Sequence, residues 1–151
     1  MIQFFNTYPE FSADTASALI YASEQIISDH NLTLEYTNVV FMTDDELLKL
    51  NVEYLGHDYY TDIITFNYAE EPGKVEAELY ISTDRVRENA ITNDVSLIDE
   101  MKRVVIHGML HIAGFNDSSL IEKSEMRSLE DKYINKTLFH VKQNNDKMEL
   151  K

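Results

Sequence analysis

The segment SLIDEMKRVVIHGMLHIAGFND, residues 96–117, decides the fold of this chain. Apolar side chains recur in it every three or four residues, which predicts an α-helix that begins near Ser96 and ends at Gly114. One apolar stripe along this helix consists of Ile98, Met101, Val105, Met109 and Ile112, and a second stripe, largely on the other side, contains Val104 and Gly108. A helix that is apolar nearly all round lies buried at the centre of a domain.

Two histidines, His107 and His111, stand four residues apart on this helix, so both imidazoles leave the same face one turn apart. That spacing lets both rings reach one metal ion at about 2.0–2.1 Å. Gly114 lets the chain turn back, because glycine adopts positive φ without a steric penalty, and Asp117 then follows as a third ligand. Three protein ligands leave one coordination position open, which is typical of catalytic sites. We therefore predict one divalent transition metal, zinc in the first place, with nickel or another ion as alternatives.

The histidine pair alone is a weak signal. Two histidines on a partly buried helix face, bonded to backbone or to a carboxylate, would show the same spacing. The pair also lacks the glutamate of the metallopeptidase motif H-E-x-x-H, because Gly108 stands at that position. The general base of that enzyme class is therefore missing.

Composition sets the outer limits of these predictions. The chain has 151 residues, of which 44% are hydrophobic, and this predicts a single domain over residues 1–151. Cysteine is absent, so any metal is bound through nitrogen and oxygen. A net charge of −14 argues against a non-specific nucleic-acid binder, although a local basic patch for one structured RNA stays possible. With no secretory signal and no long apolar run, we expect a cytoplasmic protein.

The rest of the chain alternates between helical and extended patterns. Strands are predicted at residues 2–5, 32–42, 61–67 and 76–82. Further helices are predicted after Ser12, at 44–55 with a Thr43–Glu46 capping box, at 84–90, and after Ser119, and residues 144–151 read as a frayed polar tail. This order predicts an α+β domain in which a small mixed β-sheet is covered by helices, with the metal-binding helix at the centre.

The string from His107 to Asp117 resembles H-G-x-L-H-x-x-G-x-D-H, the signature of the YbeY family of bacterial ribosomal-RNA maturation endoribonucleases. The matching residues are His107, Gly108, Leu110, His111 and Gly114. Residues 50–51, 54, 61–66 and 78–82 also resemble family segments in the same order. The resemblance implies a zincin-like fold, one transition metal on the helix, and processing of the 3′ end of small-subunit ribosomal RNA, with a role in ribosome quality control. It implies ribosomal RNA and the small ribosomal subunit as partners of a monomer with no membrane attachment and no small-molecule cofactor.

Three positions depart from the family pattern. The third histidine of the signature is Asp117 here, which still binds zinc but adds a negative charge, and the aspartate before it is Asn116. The arginine that follows a family tyrosine is Leu55, so one phosphate contact is lost. Three other arginines are candidates to replace it, namely Arg85, Arg87 and Arg103. These departures bear on nuclease activity more than on metal binding.

Glu78 and His107 are the predicted catalytic residues. Glu78 stands where the family has an acidic residue on the strand beside the cleft, so it is a candidate general base or a hydrogen-bond partner of a ligand histidine. The alternative is a solvated strand carboxylate. Asp62 is interpreted as structural, and His57 as an isolated surface residue. Tyr59 and Tyr60 could stack on bases or simply pack.

Three functions follow from these observations. The first is a metal-dependent endoribonuclease acting on single-stranded ribosomal RNA. The second is a catalytically weakened ribosome-assembly or RNA-binding factor whose metal is structural. The third is a metallohydrolase with another substrate, such as a peptide, against which the missing glutamate counts.

Overall fold

A computed structural model describes residues 1–149 of the chain, which contain four strands and five α-helices. The strands are β1 Ile2–Phe5, β2 Thr33–Met42, β3 Ile63–Asn67 and β4 Lys74–Ser82. The helices are α1 Ala13–Asp29, α2 Asp44–Leu50 with a π-helical turn Asn51–Leu55, α3 Thr83–Thr92, α4 Leu97–Ile112 and α5 Leu120–Glu149. No helix in this range is long and apolar enough to span a membrane.

The four strands form one mixed sheet in the order β1-β2-β4-β3. β1, β2 and β4 run parallel, and β3 pairs antiparallel with β4 at the edge of the sheet. Helices α1 and α4 pack on one face of this sheet, and α5 packs against both of them. The predicted α+β class with a small mixed sheet is therefore confirmed.

Helix α4 lies at the centre of the core, as its apolar stripes predict. The side chains of Met101, Val105 and Met109 are fully buried. On an adjacent part of the helix surface, Gly108 rests directly on β3 and β4. A Cβ atom there would lie 2.6 Å from Ile63 Cδ1 and 2.8 Å from Leu79 Cδ2. The lack of a side chain at Gly108 thus sets how closely the metal-binding helix approaches the sheet.

Replacing this glycine is expected to destabilise the domain. Gly108→Val adds three carbon atoms to a filled contact, and overpacking of this kind costs about 1–3 kcal/mol, more than the gain of roughly 0.5 kcal/mol in helix propensity on replacing glycine. We therefore expect a net loss of about 1–2 kcal/mol, read as a lower urea midpoint. Ile91→Ala on α3, where the side chain is 82% exposed, is the control and should stay within about 0.5 kcal/mol. An unchanged midpoint in the glycine variant would contradict this packing.

Hydroxyl side chains begin the helices where the sequence predicts. Ser12, Ser82 and Ser96 each accept a hydrogen bond from the backbone N–H three residues later. Thr43 and Glu46 form the predicted capping box at the start of α2. These bonds satisfy N–H groups that have no partner within the helix, and the observed helix starts match the predicted ones within one or two residues.

Two segments differ from the prediction. The helix predicted over 44–55 changes to a π-helical turn at Asn51, although it ends at Gly56 as expected, with φ of 68°. Helix α5 continues through Glu149, so the polar stretch predicted as a frayed tail is helical up to that residue, and residues 150–151 lie outside the described range. Three of these residues, Asn144, Asn145 and Asp146, are weak helix formers, but no glycine or proline ends the helix before Glu149.

Candidate metal centre

Three side chains converge at the end of α4 next to the edge strand β3. His107 and His111 project from one face of the helix, and their Nε2 atoms lie 2.9 Å apart. Asp117 comes from the loop that follows, with Oδ2 3.4 Å from Nε2 of His107 and 3.6 Å from Nε2 of His111. The three side chains predicted as ligands therefore place one nitrogen or oxygen atom each within 3.6 Å of the other two.

The spacing of these atoms fits a single transition metal. Ligands about 2.0–2.1 Å from a tetrahedral zinc ion lie about 3.3 Å from one another. The two distances from Asp117 Oδ2 to the histidines match this ligand–ligand spacing, and the distance between the two Nε2 atoms is shorter. The side chains of His107, His111 and Asp117 are 23%, 27% and 42% exposed, so a fourth coordination position would be open to the cleft. Two imidazoles and a carboxylate are a donor set that suits zinc.

The turn after α4 positions Asp117. Gly114 has a φ of 105°, a left-handed conformation that only glycine adopts freely. Its N–H donates to the carbonyl of His111, and the N–H of Phe115 donates to the carbonyl of Leu110. Phe115 then packs against the core, so the chain folds back along the helix. The loop therefore returns the carboxylate of Asp117 to the histidines one turn earlier.

A buried carboxylate on α5, Glu130, orients the first histidine. Its Oε2 lies 2.7 Å from Nδ1 of His107, and its side chain is only 7% exposed. This contact fixes the N–H of the ring at Nδ1, which leaves Nε2 free to bind a metal. Arg103 donates to the other oxygen of Glu130 at 2.8 Å and to Asp131 at 2.7 Å. The histidine, the carboxylate and the arginine thus form a continuous chain behind the metal centre.

The contacts among His107, Glu130 and Arg103 shift the pKa values of His107 and Glu130. Burial alone would lower the pKa of His107, but the hydrogen bond and the charge of Glu130, together with the charges of Asp117 and Asp62, outweigh burial and raise that pKa. For Glu130, burial alone would raise the pKa, and the contacts with His107 and Arg103 outweigh it and lower that pKa. The carboxylate is therefore ionised and increases the basicity of the imidazole that it holds.

Loss of this contact is expected to weaken metal binding without removing a ligand. Glu130→Gln keeps the shape of the side chain but removes its charge, and changes of this kind cost 10–100-fold in metal affinity. Competition with a zinc chelator of known affinity measures the effect. Glu125→Gln, an exposed substitution on the same helix, is the matched control. Equal affinities of the Glu130 variant and the parent would show that this carboxylate does not support the site.

The role of Asp117 is tested by two substitutions. Asp117→Ala removes the carboxylate from the centre, so metal affinity should fall by at least about tenfold. Asp117→His restores the third histidine of the signature and should keep the metal bound. Isothermal titration with zinc distinguishes them. An alanine variant with the affinity of the parent would mean that the third ligand lies elsewhere.

The metal centre opens into a cleft of about 370 Å³. Its far wall is the π-helical turn and the loop after it, which contribute Leu55, His57 and Tyr59. Buried Asn51 holds this loop in place, because its side chain donates to the carbonyl of Tyr59 at 2.8 Å and its own carbonyl accepts from the N–H of His57. His57 is exposed, as expected of a surface residue, but it is not isolated, because it bonds to Tyr59 and lines the cleft. The loop that carries it folds over the site.

The departure at Leu55 lies within this cleft, and no arginine compensates for it. Leu55 lines the cleft, but no lysine or arginine does so among the residues described. The three candidate arginines bond to carboxylates instead: Arg85 to Asp44 at 2.8 Å, Arg87 to Glu10 at 3.1 Å, and Arg103 to Glu130. Among the described residues, His57 is the one histidine that lines the cleft besides His107 and His111.

The structure does not bring Glu78 to the metal centre. Successive side chains of a strand point to opposite faces, and Leu79 faces α4 at Gly108. Glu78 therefore points to the opposite face of the sheet, where it bonds to Tyr80 and lines a separate cavity. This corrects the expectation that Glu78 stands beside the metal cleft.

Asp62 takes the place that the sequence suggested for Glu78. It lines the metal cleft and the adjoining pocket behind His107, and its charge contributes to the raised pKa of that histidine. Its backbone carbonyl also accepts from the N–H of Ser82, as expected of a residue at a strand entrance. The structural interpretation of Asp62 is therefore incomplete.

Comparison with known proteins agrees with this site. The family profile described as Endoribonuclease YbeY matches residues 5–138. The endoribonuclease YbeY of Flavobacterium psychrophilum is 39% identical over 140 residues, which cover 93% of this chain and 98% of that protein. The protein of the same name from Amoebophilus asiaticus is 44% identical over 109 residues, 72% of this chain and 74% of its own length. A Thermotoga maritima protein of known solution structure, 28% identical, superposes with a TM-score of 0.64 over 95% of this chain and 93% of its own. The fold, the ligand set and these matches lead to one conclusion, that the chain belongs to the endoribonuclease YbeY family.

Proposed function

We propose that this protein is a metal-dependent endoribonuclease that cuts single-stranded RNA during maturation of the 3′ end of small-subunit ribosomal RNA. The observation that carries the proposal is the convergence of His107, His111 and Asp117 in an open cleft. Relatives that match over most of their length bear the name endoribonuclease YbeY. We propose that it acts as a monomer in the cytoplasm on ribosomal particles, and contributes there to ribosome quality control.

The three ligand residues would hold one divalent ion, which we propose to be zinc. Such an ion would supply the positive charge that stabilises phosphoryl oxygens and would make water a better nucleophile. His107 is held for this role by Glu130, whose carboxylate fixes the ring orientation before any substrate arrives. Asp117 contributes a negative charge that a third histidine would not.

The loop over the cleft offers a surface for the RNA. The rings of His57 and Tyr59 stack with centroids 5.2 Å apart and an interplanar angle of 17°. Tyr59 is 56% exposed, so a base can stack beside the metal centre. Tyr60, in contrast, bonds to Asp45 and lies under Arg85, which is packing. We therefore assign base stacking to Tyr59.

The charge balance of the cleft predicts slow cutting. With Leu55 in place of an arginine, no lysine or arginine among the described residues lines the cleft, so the positive charge opposite the substrate phosphate would come from the metal ion. We expect lower turnover than in relatives that retain the arginine and the third histidine, and Leu55→Arg should raise the rate.

Proton transfer is assigned to Asp62, the carboxylate in the cleft that is not a metal ligand. A matched pair of variants tests this choice. Asp62→Asn and Glu78→Gln each remove one negative charge, and they do so on opposite faces of the sheet. We expect Asp62→Asn to slow cutting by 10²-fold or more, on the order of a lost general base, and more than Glu78→Gln does. The reverse order would return the role to Glu78.

The function itself is tested with a precursor of small-subunit ribosomal RNA, both naked and on ribosomal particles. The parent protein should cut only after loading with zinc or another transition metal, and a chelator should stop the reaction. A peptide library incubated under the same conditions tests for a metallohydrolase of another class. No cutting of either RNA form by metal-loaded protein would overturn the proposal in favour of an assembly factor with a structural metal.

A further inference from the structure

A smaller pocket, of about 160 Å³, lies behind His107 and adjoins the metal cleft. Its lining consists of three carboxylates, one arginine, one valine and the histidine itself, namely Asp62, Glu100, Glu130, Arg103, Val104 and His107. Two of these residues, Asp62 and His107, also line the metal cleft. A group bound in this pocket would therefore lie next to the metal centre.

Glu100 is buried in the wall of this pocket without a partner. The residue is 7% exposed, yet its carboxylate takes part in no hydrogen bond or ion pair with any residue that the structure describes. It stands in the first turn of α4, where the helix dipole stabilises a negative charge. Because nearly all buried polar groups in proteins are hydrogen-bonded, both oxygens of Glu100 are available to donors from a ligand.

The other charged groups at the back of the pocket are held in place by each other. Glu130 bonds to His107 through one oxygen and accepts from Arg103 through the other, at 2.7 and 2.8 Å. Arg103 donates a second hydrogen bond to Asp131 at 2.7 Å. A guanidinium has five N–H groups, so Arg103 keeps donors for a ligand after these two bonds. The pocket thus combines a fixed donor, Arg103, with a free acceptor, Glu100.

The charges of the pocket argue against a phosphate group and against a metal ion. Three carboxylates outnumber one guanidinium, so the pocket repels the RNA backbone. Within residues 1–149, His107, His111 and Asp117 are the one group of three ligand side chains whose atoms all lie within 4.8 Å of one another. The carboxylates of the pocket are therefore not arranged as a three-ligand metal site. An uncharged group that carries its own donors and acceptors fits better.

We propose that this pocket binds a guanine base, from a nucleotide next to the phosphodiester that is cut, an inference that rests on the proposed function. Guanine has two adjacent donors on its Watson–Crick edge, N1–H and the N2 amino group, which match the two oxygens of the Glu100 carboxylate. Its O6 and N7 are acceptors, and arginine is the residue that most often donates to them. The pocket volume is about ten times the space that one water molecule requires, so a planar base has room.

The other three bases match this arrangement less well. Adenine and cytosine each have one amino group on the Watson–Crick edge, beside a ring nitrogen that accepts and that a carboxylate repels. Uracil has a single N–H between two carbonyl oxygens. With each of these bases, the buried carboxylate of Glu100 would lose at least one hydrogen bond without replacement. We therefore expect Glu100 to determine a preference for cutting beside guanosine.

The first test compares cutting rates on single-stranded oligonucleotides of adenosine with one variable central nucleotide. Zinc-loaded parent protein should cut beside guanosine at least about tenfold faster than beside adenosine, cytidine or uridine. Inosine, which lacks the N2 amino group, should lower the rate about fivefold relative to guanosine. Glu100→Gln should lose most of the preference but cut beside adenosine like the parent. Asp99→Asn, an equal charge change at the exposed neighbouring position, should keep the preference.

The second test measures binding apart from cutting, so that a failure of this inference can be told from a failure of the proposed function. Trinucleotides with 2′-O-methyl groups and a central guanine or adenine are titrated into zinc-loaded protein. The reporters are the Nε–H signals of the four arginines, namely Arg85, Arg87, Arg103 and Arg127. The guanine probe should move the Arg103 signal, with an affinity at least about fivefold higher than that of the adenine probe. This result in a protein that cuts no RNA would support the pocket and overturn the nuclease function.

Three results would overturn the guanine pocket while the nuclease function stands. They are equal cutting rates beside all four bases, equal rates beside guanosine and inosine, and an equal preference in Glu100→Gln and Asp99→Asn. The inosine comparison needs no variant, so it decides the question if circular dichroism shows that Glu100→Gln does not fold. Magnesium that moves the Arg103 signal in zinc-saturated protein, and speeds cutting beside every base alike, would identify a cation site instead and also overturn the proposal.

Discussion

His111→Ala is expected to lower the metal affinity of this protein by a hundredfold or more while the fold persists. The substitution leaves two of three ligands, and each ligand of a zinc site contributes several kcal/mol of the binding free energy. His111 lies at the end of α4 with its side chain 27% exposed toward the cleft. The core contacts of the helix, in contrast, come from buried residues such as Met109.

Titration with zinc and circular dichroism of the same samples measure the two halves of this prediction. His140→Gln, a histidine substitution on α5 where the ring stacks on Tyr21 outside the cleft, is the control and should bind zinc like the parent. An unfolded His111 variant would mean that the metal is structural. A folded variant with unchanged affinity would remove His111 from the ligand set.

The second large effect is expected for RNA cleavage. His107→Ala should reduce the rate by about 10³-fold or more. This residue is a proposed metal ligand, and it is also hydrogen-bonded to Glu130, which in turn is bonded to Arg103. Residues that act as a unit are not additive, so the double variant with His111→Ala should be no slower than the single one. Gel analysis of end-labelled precursor RNA gives the rates. Cutting that persists in the His107 variant would point to a contaminating nuclease.

The parts of the fold that local patterns encode could be predicted. The apolar stripes of α4 and the hydroxyl caps of four helices depend on residues within a few positions of each other. The His107 and His111 pair on one turn, with Gly114 ending the helix, is equally local. The convergence of His107, His111 and Asp117 could therefore be predicted from residues 107–117.

The role of Glu130, which supports His107, depends on a contact between segments that are distant in the sequence. Glu130 is 23 positions from His107, and no local pattern indicates that the two side chains meet. A signal did exist, because Glu130 interrupts a buried stripe formed by Met126, Tyr133 and Thr137 on α5. A carboxylate on the buried side of a helix needs a partner, and this would have marked it as a candidate.

The face of the sheet on which Glu78 lies could not be predicted from the sequence. Alternation along β4 indicates that Glu78 and Leu79 point to opposite faces, but not which of the two faces carries the metal-binding helix. That choice follows from the contact of Gly108 with Leu79. The position of His57 in the cleft likewise depends on the side chain of Asn51, which holds the loop in place.

We infer that one metal ion is bound by His107, His111 and Asp117. The most direct measurement is a crystal structure of zinc-loaded protein with anomalous diffraction recorded on both sides of the zinc absorption edge. We predict one anomalous peak per chain, about 2.0–2.2 Å from Nε2 of both histidines and from a carboxylate oxygen of Asp117. No peak at this position, or a peak held by other residues, would contradict the account.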